Sequence, residues 1–380
     1  EFSRDRVVWD VGHQRYAYKI LTGRREAFST LRRWQGLSGF PKREESPYDA
    51  FNTGHSSTSI SAALGLLRGA RQSGEERKVI AVIGDGAMTG GMAYEALNDA
   101  GCGDENLIVI LNDNQMSISD NVGAFAAHLN KLRTSRKYRH FKGRMERFCL
   151  HIPVIGEALA DGLSRMKDFF RNIFLHEMNA MPEALGFRYY GPFDGHNRIM
   201  LEQAFEAAAE VDGPVLVHVC TCKGYGYIPA ENSPENYHGV APFEVETGIP
   251  ELPEPDYPTD STERFEHTLD RCKNFSESFG TSLQFYALRN DKVTGICAAM
   301  AGGTGMEGFA ELFPKRFYDV GIAEQHAVTL ACGMAAAGIR PVVALYSTFL
   351  QRALDQVQHD AVLQKLPVII CLDRAGIVGE

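Results

Sequence analysis

The stretches VIGDGAMTGGMAYEALNDAG, residues 82–101, and LIVILNDNQMS, residues 107–117, decide the fold. In each stretch a short apolar run ends abruptly in polar residues. Asp85 stands between two glycines, and Asn114 closes an Asn-Asp-Asn triplet. Because the carboxyl ends of parallel strands meet at one edge of a sheet, these two residues predict a site built at that edge.

The residues around these two ends form a repeating unit. The run ERKVIAVIG, residues 76–84, predicts a buried strand, and residues 88–101 predict a helix with Met92, Ala96 and Leu97 on its apolar face. A second buried strand follows directly. Strand, helix and strand with continuous apolar strands form the βαβ unit of a parallel sheet.

The rest of the chain repeats this rhythm on both sides of a linker. The linker, within residues 242–270, carries closely spaced prolines among many acids. After it, apolar runs at residues 292–300, 316–322, 341–347 and 367–373 alternate with helical patterns at about 276, 323–338 and 349–364. We therefore predict an α/β protein with two doubly wound parallel-sheet domains: residues 1–241, the linker 242–270, and residues 271–380, with the second domain unfinished at Glu380.

Composition excludes several classes of function. The chain has 380 residues and a net charge of −9, which argues against general affinity for nucleic acids. The basic segment 131–148 is better explained by amphipathic, solvated helices than by a nucleic-acid patch. No apolar run is long enough for a membrane span, and no signal peptide is visible. The eight scattered cysteines indicate free thiols in a reducing cytosol.

The ligand chemistry of Asp85 and Asn114 indicates a metal. A carboxylate and an amide oxygen are hard ligands that suit Mg²⁺, which takes its other ligands from water and phosphate. The glycines beside Asp85 let backbone approach a phosphate, and the next helix N-terminus adds N–H groups. The alternative is that Asp85 is only a helix N-cap and Asn114 only a turn residue. The two together favour a metal–diphosphate site.

Glu324 is the corresponding feature of the second domain. It lies at a strand-to-helix junction among Val320, Ile322, Ala323 and Ala327. Desolvation in such surroundings raises the pKa of a carboxyl group, which can then share a proton with a neutral heterocyclic nitrogen. The alternative is an acid in the first turn of a helix that interacts favourably with the helix dipole.

The spacing of Asp85 and Asn114 resembles the diphosphate-binding motif of thiamine diphosphate enzymes. The whole chain resembles the 1-deoxy-D-xylulose 5-phosphate synthase family, on the segments RVVWDVGHQRYAYKILTGR, GHSSTSIS, GDGAMTGGMAYEALNDAG, LNDNQMSIS, GPFDGHN, KGYGYIPAE, YHGVAPF, FYDVGIAEQHAV, LYSTFLQRALDQVQHD and LPVIICLDRAGIVG. The resemblance implies two transketolase-like domains that bind thiamine diphosphate and Mg²⁺. It also implies a cytoplasmic homodimer that decarboxylates pyruvate and joins the two-carbon unit to D-glyceraldehyde 3-phosphate, for isoprenoid, thiamine and pyridoxal phosphate synthesis.

The resemblance also assigns roles to residues. The implied Mg²⁺ ligands are Asp85, Asn114 and the carbonyl of Met116. The implied cofactor contacts are His13, Gly54, His55, Ser56, Gly86, Ala87, Asn114, Tyr227, Glu324 and Phe349. The implied catalytic residues are Glu324, at the pyrimidine ring, His13 and His238. The implied substrate contacts are Tyr346, Arg352 and Arg374, the arginines because a guanidinium matches carboxylate and phosphate geometry.

The chain departs from the family pattern at its ends. It begins without a Met, after the family's N-terminal segment with a further active-site histidine, and stops before the family's last domain. If these residues are the whole polypeptide, we expect weak or no turnover. Tyr225 also stands where a basic residue is common in the family.

Three other functions remain open on the sequence. Gly303, Gly305 and Gly308 form a G-x-G-x-x-G pattern, with Asp319 as a rough candidate for the ribose-binding acid of a dinucleotide site, but Pro314 cuts the following helix short. A non-catalytic remnant of the thiamine fold would bind the cofactor without turnover. A transketolase would cleave ketose phosphates without consuming pyruvate.

Overall fold

The computed structural model of the protein describes residues 4–114, 123, 124, 127, 129, 180–239, 242–249 and 274–376. Met116, the basic segment 131–148 and residues 250–270 of the predicted linker lie outside these residues. Within the described part of the chain, no helix combines the length and the apolar composition that a bilayer crossing requires.

The first sheet has five parallel strands among the described residues, in the order β1-β2-β3-β5-β4. The strands are β1 Arg6–Trp9, β2 Val79–Gly84, β3 Leu107–Asp113, β4 Arg188–Asp194 and β5 Val215–Cys220. Gly84 of β2 is in register with Asn112 of β3. The two predicted polar ends therefore lie side by side at the carboxyl edge of this sheet.

Helices cover both faces of the first sheet. The helices of this part of the chain are α1 Tyr16–Lys19, α2 Ser59–Gln72, α3 Gly91–Gly101, α4 Ala180–Ala184 and α5 Arg198–Ala209. Ile60 and Leu64 of α2 pack with Leu97 of α3 against one face, and Met200 and Ala204 of α5 pack against the other. This layering is the doubly wound arrangement that the sequence predicts.

The region after β2 differs in detail from the prediction. A 3₁₀ turn, Ala87–Thr89, precedes α3, so the helix begins at Gly91 rather than at Met88. Ala96 and Leu97 are buried as expected, but the placement of Met92 on the buried face is wrong, because its side chain is 42% exposed. Met92 is the second residue of α3.

The second sheet is also parallel, with four strands among the described residues in the order β7-β6-β8-β9. These are β6 Val293–Cys297, β7 Phe317–Asp319, β8 Arg340–Tyr346 and β9 Ile369–Asp373. Further helices are α6 Ile228–Asn232, which precedes this sheet in sequence, α7 Phe275–Arg289, α8 Glu307–Leu312 and α9 Glu324–Ala336. Leu283 and Ala287 of α7 pack on one face, and Ala327 and Ala331 of α9 belong to the core on the other.

The single helix predicted over residues 349–364 is wrong. The structure has α10 Ser347–Leu350, a 3₁₀ turn Gln351–Ala353, α11 Leu354–Gln356 and a π-helical segment Val357–Val362. Ala353, with φ −107° and ψ 16°, leaves the helical backbone conformation and breaks the run.

Contacts divide the described residues into two compact units. One holds the first sheet and extends to Lys223, and the other begins at Gly224 and holds the second sheet. The domain limits expected from the sequence, 1–241, 242–270 and 271–380, stay a prediction.

Candidate functional site

The carboxyl edge of the first sheet places Asp85 directly after β2. Its backbone N–H donates to the carbonyl of Asn112 at 3.1 Å, which extends the β2–β3 ladder by one residue. Asp85 is only 4% exposed, and its Oδ1 accepts a hydrogen bond of 3.0 Å from the N–H of Gly86. The carboxylate is therefore held at the sheet edge, where half-buried Asn114 follows the end of β3.

The structure argues against a simple capping role for Asp85. The N-cap of α3 is Gly90, and the 3₁₀ turn separates Asp85 from that helix. Among the described residues, no atom lies within 4 Å of a Cβ built on Gly84, which leaves room beside the backbone there. A buried carboxylate and the amide of Asn114, which follows the adjacent strand, are oxygen ligands that fit a hard cation, and the room beside Gly84 fits a phosphate.

Two further loops are tied to this edge by buried hydrogen bonds. Asp10 follows β1, and its carboxylate accepts from the N–H groups of Ser57 at 2.7 Å and Ser59 at 3.0 Å. The Ser57 hydroxyl donates to the carbonyl of Ala87 at 2.7 Å. The loop that carries Gly54, a half-buried glycine, is thereby fixed against the turn after β2.

His13 and the residues 54–56 lie in these tied loops. Thr53 donates its hydroxyl to the carbonyl of Val11 at 3.1 Å, which joins the loop after β1 to the loop before α2. Gly12 has φ +77°, and a Cβ there would overlap the ring of Pro41. His13 is half-buried, with its ring centroid 6.4 Å from that of Phe40, whereas His55 is exposed and Ser56 is buried.

A buried ionic network supports the segment that carries His13. Asp49 accepts from Arg15 Nη1 at 2.8 Å and from Arg24 Nη1 at 2.7 Å, and all three residues are buried. Burial alone would raise the pKa of Asp49, but the hydrogen bonds from the two arginines hold that pKa well below its ordinary value. No local sequence pattern predicts this network, because its members lie in separate segments of the chain.

Asp10 and Asp113 are site residues that sequence reasoning missed. Asp10 repeats the pattern of Asp85, an acid directly after a short apolar run and next to a glycine-containing loop, so the same rule could have found it. Asp113 lies inside the Asn-Asp-Asn triplet. Its buried partner, His218, comes from β5, and no local pattern links the two.

In the second unit, Glu324 begins α9 and is buried, with 3% of its surface exposed. Burial raises the pKa of Glu324, and this outweighs the lowering by a backbone hydrogen bond and by Arg352. Its Oε2 has no hydrogen-bond partner within the described part of the chain, and Arg352 Nη1 lies 3.8 Å away. Glu324 does lie in a first turn, but an acid serving only the helix dipole would gain nothing from this burial.

Three predicted substrate and cofactor residues meet beside β8. The rings of Tyr346 and Phe349 stack with centroids 6.0 Å apart and planes 7° apart. The guanidinium carbon of Arg374 lies 5.0 Å from the centroid of the Tyr346 ring. Arg374 is held through its carbonyl, which accepts from the hydroxyl of Ser347 at 2.9 Å. The result is an aromatic pair with an adjacent cation.

Tyr227 and His238 lie before the predicted linker, in the second contact unit. The Tyr227 ring packs against Tyr237 and Phe243, each with a centroid distance of 5.8 Å, and its hydroxyl donates to the carbonyl of Val245 at 2.8 Å. His238 is half-buried. Met116, the third predicted Mg²⁺ ligand, lies outside the described residues.

The structure argues against the dinucleotide site, because the carboxylate of Asp319 is used to bind the backbone. Asp319 Oδ1 accepts hydrogen bonds of 2.9 Å from the N–H groups of Ala299 and Gly321, so this carboxylate holds the backbone at the end of β7. The helix after the glycines, α8, has six residues and ends before Pro314, as the sequence predicts. A ribose-binding role for Asp319 is therefore disfavoured.

Apart from Met116, Tyr227 and His238, the structure brings the predicted residues together in two sets, one in each unit. The first set, at the carboxyl edge of the first sheet, is His13, Gly54, His55, Ser56, Asp85, Gly86, Ala87 and Asn114. The second set, beside β8 and α9, is Glu324, Tyr346, Phe349, Arg352 and Arg374. Each set can hold part of a ligand on its own: the first an anion with a cation, and the second a ring and an anion.

Two sequence families match the chain. The family described as 1-deoxy-D-xylulose-5-phosphate synthase matches residues 1–221, and the transketolase pyrimidine-binding domain matches residues 273–380. The second match agrees with the parallel sheet observed there, so the predicted transketolase-like α/β class is confirmed.

Curated relatives extend the similarity over the chain. The 1-deoxy-D-xylulose-5-phosphate synthase of Lachnoclostridium phytofermentans is 51% identical over 100% of this chain and 58% of its own length. That of Desulforudis audaxviator is 54% identical over 99% of this chain and 56% of its own length. The chain thus spans somewhat more than half the length of these relatives. A transketolase structure from Campylobacter jejuni is 17% identical with a TM-score of 0.44, covering 98% of this chain and 61% of that one.

Proposed function

Since the chain belongs to the 1-deoxy-D-xylulose-5-phosphate synthase family, we propose that the protein decarboxylates pyruvate with thiamine diphosphate and transfers the two-carbon unit to D-glyceraldehyde 3-phosphate. This reaction would be the first step of the methylerythritol phosphate route to isoprenoids and would also feed thiamine and pyridoxal phosphate synthesis. The observation that carries the proposal is the buried Oε2 of Glu324, which has no hydrogen-bond partner among the described residues. A carboxyl group of this kind fits a neutral ring nitrogen.

The first set of residues would hold the diphosphate end of the cofactor. Asp85, the amide of Asn114 and the carbonyl of Met116 would bind Mg²⁺, and Gly86 and Ala87 would contact the diphosphate. The buried carboxylate of Asp85 and the room beside the backbone at Gly84 support this assignment. Mg²⁺ prefers such oxygen ligands and would neutralise the charge of the diphosphate.

The second set would hold the pyrimidine end. Thiamine diphosphate, when bound, supplies a carbon nucleophile and a sink for the electrons released by decarboxylation. The residues of this chain would move a proton: Glu324, whose pKa is raised by burial, would share a proton with the pyrimidine nitrogen. Phe349 would pack on the ring, and Tyr227 would contact the cofactor.

The arginines would bind the anionic substrates. Arg352 and Arg374 would pair with the carboxylate of pyruvate and the phosphate of glyceraldehyde 3-phosphate, beside Tyr346. Arg352 Nη1 also lies 3.8 Å from Glu324 Oε2 and lowers the pKa of that carboxyl. A substrate anion that binds Arg352 would weaken this effect and so help Glu324 to keep its proton.

The remaining assignments are also part of the proposal. His13, with Gly54, His55 and Ser56, would line the cofactor, and His13 and His238 would exchange protons with the substrates. The protein would act as a homodimer in the cytoplasm. A transketolase that uses only sugar phosphates, and a remnant that binds thiamine diphosphate without turnover, are the competing functions.

The test is an activity assay on the complete polypeptide with Mg²⁺ and thiamine diphosphate. We expect pyruvate consumption that depends on D-glyceraldehyde 3-phosphate and yields a five-carbon ketose phosphate with one equivalent of CO₂. Glu324→Gln should lower kcat by about 10²- to 10⁴-fold, the range for losing a proton-transfer group. Ketose cleavage without pyruvate consumption would identify a transketolase, and cofactor binding with no turnover would favour the remnant.

A further inference from the structure

A buried chain of three polar side chains crosses the first sheet from β4 to β3. The hydroxyl of Tyr189 in β4 lies 2.7 Å from His218 Nδ1 in β5, and His218 Nε2 lies 3.0 Å from Asp113 Oδ2 at the end of β3. His218 is fully buried, and Tyr189 and Asp113 are nearly so. Sequence reasoning used none of the three.

The partners of His218 determine how its ring is oriented. Asp113 is an acceptor, so Nε2 carries the proton and donates to it, and the Tyr189 hydroxyl donates to Nδ1. In this arrangement each of the three side chains has a hydrogen-bond partner. A buried polar group without its partner is strongly disfavoured. The hydrogen bonds from Tyr189 to His218 and from His218 to Asp113 therefore hold the Asp113 carboxylate in one position.

The same strand ends are joined by further bonds to β5. The Thr221 N–H donates to the carbonyl of Asp113 at 2.9 Å, and the Thr221 hydroxyl donates to Asn112 Oδ1 at 2.9 Å. The carbonyl of Asn112 in turn accepts from the N–H of Asp85. Asn112 and Asp113, the two residues before Asn114, are therefore bonded through main chain and side chains to β5 and its following residue on one side. On the other side, the main chain of Asn112 is bonded to Asp85, directly after β2.

We propose that His218 is a positioning residue for the cation site: through Asp113 it fixes the end of β3 and thereby the direction of Asn114. This inference rests on the proposed function, which makes Asn114 a Mg²⁺ ligand beside Asp85. His218 touches neither metal nor cofactor. Residues that orient metal ligands in this way commonly change metal affinity by 10- to 100-fold when they are removed.

A second role for the same residues is a metal site of their own. Asp113, His218 and Cys220 are buried and offer ligand atoms within 4.8 Å of one another, with Cys220 Sγ 3.8 Å from His218 Nε2. However, both ring nitrogens of His218 already have hydrogen-bond partners at 2.7 and 3.0 Å, so a metal would have to displace at least one of them. The hydrogen-bonded chain is the arrangement that the geometry favours.

The experiment measures the Mg²⁺ dependence of thiamine diphosphate binding by calorimetric titration. We expect His218→Leu to raise the half-saturating Mg²⁺ concentration by about 10- to 100-fold. His218→Gln, whose side-chain amide can still donate to Asp113, should recover much of the loss, which a merely structural effect would not predict. Tyr189→Phe should raise the concentration by about fivefold, the factor that one net hydrogen bond supplies. Tyr190→Phe, one residue further along β4, is the matched control and should change nothing.

Each result has a defined meaning. If the unaltered protein shows no Mg²⁺-dependent binding, the proposed function fails and this inference fails with it. If it binds and folded His218→Leu keeps its Mg²⁺ dependence, only the positioning role is overturned. If His218→Leu does not fold, Tyr189→Phe decides, and an unchanged Mg²⁺ dependence there overturns the role. A transition metal that copurifies with the protein and is lost in Cys220→Ala would also overturn it.

Discussion

Replacing Glu324 by glutamine should make the protein more stable at alkaline pH while impairing its function. Glu324 is 3% exposed, and its Oε2 has no hydrogen-bond partner among the described residues. Glutamine keeps the shape of the side chain and removes its charge. The expected gain in stability comes from no longer having to bury a carboxyl group that water would ionise in the unfolded chain.

The sign of the pH dependence follows from the raised pKa. In the folded protein Glu324 holds its proton to a higher pH than its ordinary value near 4.5, chiefly because of desolvation. Below that value both states are protonated, and the group has no effect. Above that value the unfolded chain ionises while the folded protein keeps its proton, so the free energy of unfolding falls until the pH has passed the folded pKa. A pKa difference of one corresponds to about 1.4 kcal/mol.

The assay is thermal unfolding of the wild type and Glu324→Gln at pH 5 and pH 8. We expect a net gain in stability at pH 8, up to about 1.4 kcal/mol for each unit by which the pKa of Glu324 is raised and reduced by the lost attraction to Arg352, and a smaller gain at pH 5. For a unit of about 150–250 residues, 1 kcal/mol is about 2–4 °C in Tm. The matched control is Glu307→Gln, an exposed acid in the first turn of α8, which should be destabilising by about 0.3–1 kcal/mol.

The result that would refute this reasoning is a loss of stability in Glu324→Gln at both pH values, similar to that of Glu307→Gln. Glu324 would then act as an ordinary first-turn acid. Its burial would carry no meaning for proton transfer, and the proposed role at a ring nitrogen would lose its physical basis.

Two further substitutions test the framework around the site. Asp49→Ala leaves the buried guanidinium groups of Arg15 and Arg24 without their shared carboxylate, and we expect a loss of about 3–5 kcal/mol in urea unfolding, with Asp49→Asn less severe; a loss below 1 kcal/mol would contradict the network. Gly280→Ala gains helix propensity in α7 but places a Cβ on the carbonyl oxygen of Gly305. We therefore expect a loss of about 1–3 kcal/mol in the free energy of unfolding, seen as a lower Tm. A higher Tm would show that α7 can shift to make room for the methyl group.

The fold was largely predictable because buried parallel strands are marked by continuous apolar runs. β2 and β3 were found from Val79–Gly84 and Leu107–Asp113, and their parallel pairing put the two polar ends together. The short apolar run of β1 was overlooked, although it ends at Asp10 in the way that β2 ends at Asp85. The helical run after β8 was predicted as one helix because its apolar spacing continues through Ala353, where the backbone breaks.

Site residues could be predicted where the residues next to them in the sequence indicate their burial or their position at a strand end. The burial expected for Glu324 from its apolar neighbours is found, and Asp85 lies at the sheet edge as predicted. The link from Asp113 to His218 was not predictable, because it depends on the strand order β3-β5-β4, which no local pattern determines. The roles of these residues toward cofactor and substrates stay predictions.

The measurement that tests the central claim most directly is a calorimetric titration with thiamine diphosphate, with and without Mg²⁺. Wild type, Asp85→Ala and Asp104→Ala would be compared, since Asp104 is an exposed aspartate paired with Arg71 and serves as the control. We expect Mg²⁺-dependent binding in the wild type and in Asp104→Ala, and none in folded Asp85→Ala. Binding that is absent from the folded wild type, or that survives in Asp85→Ala, would contradict a Mg²⁺–diphosphate site at the carboxyl edge of the first sheet.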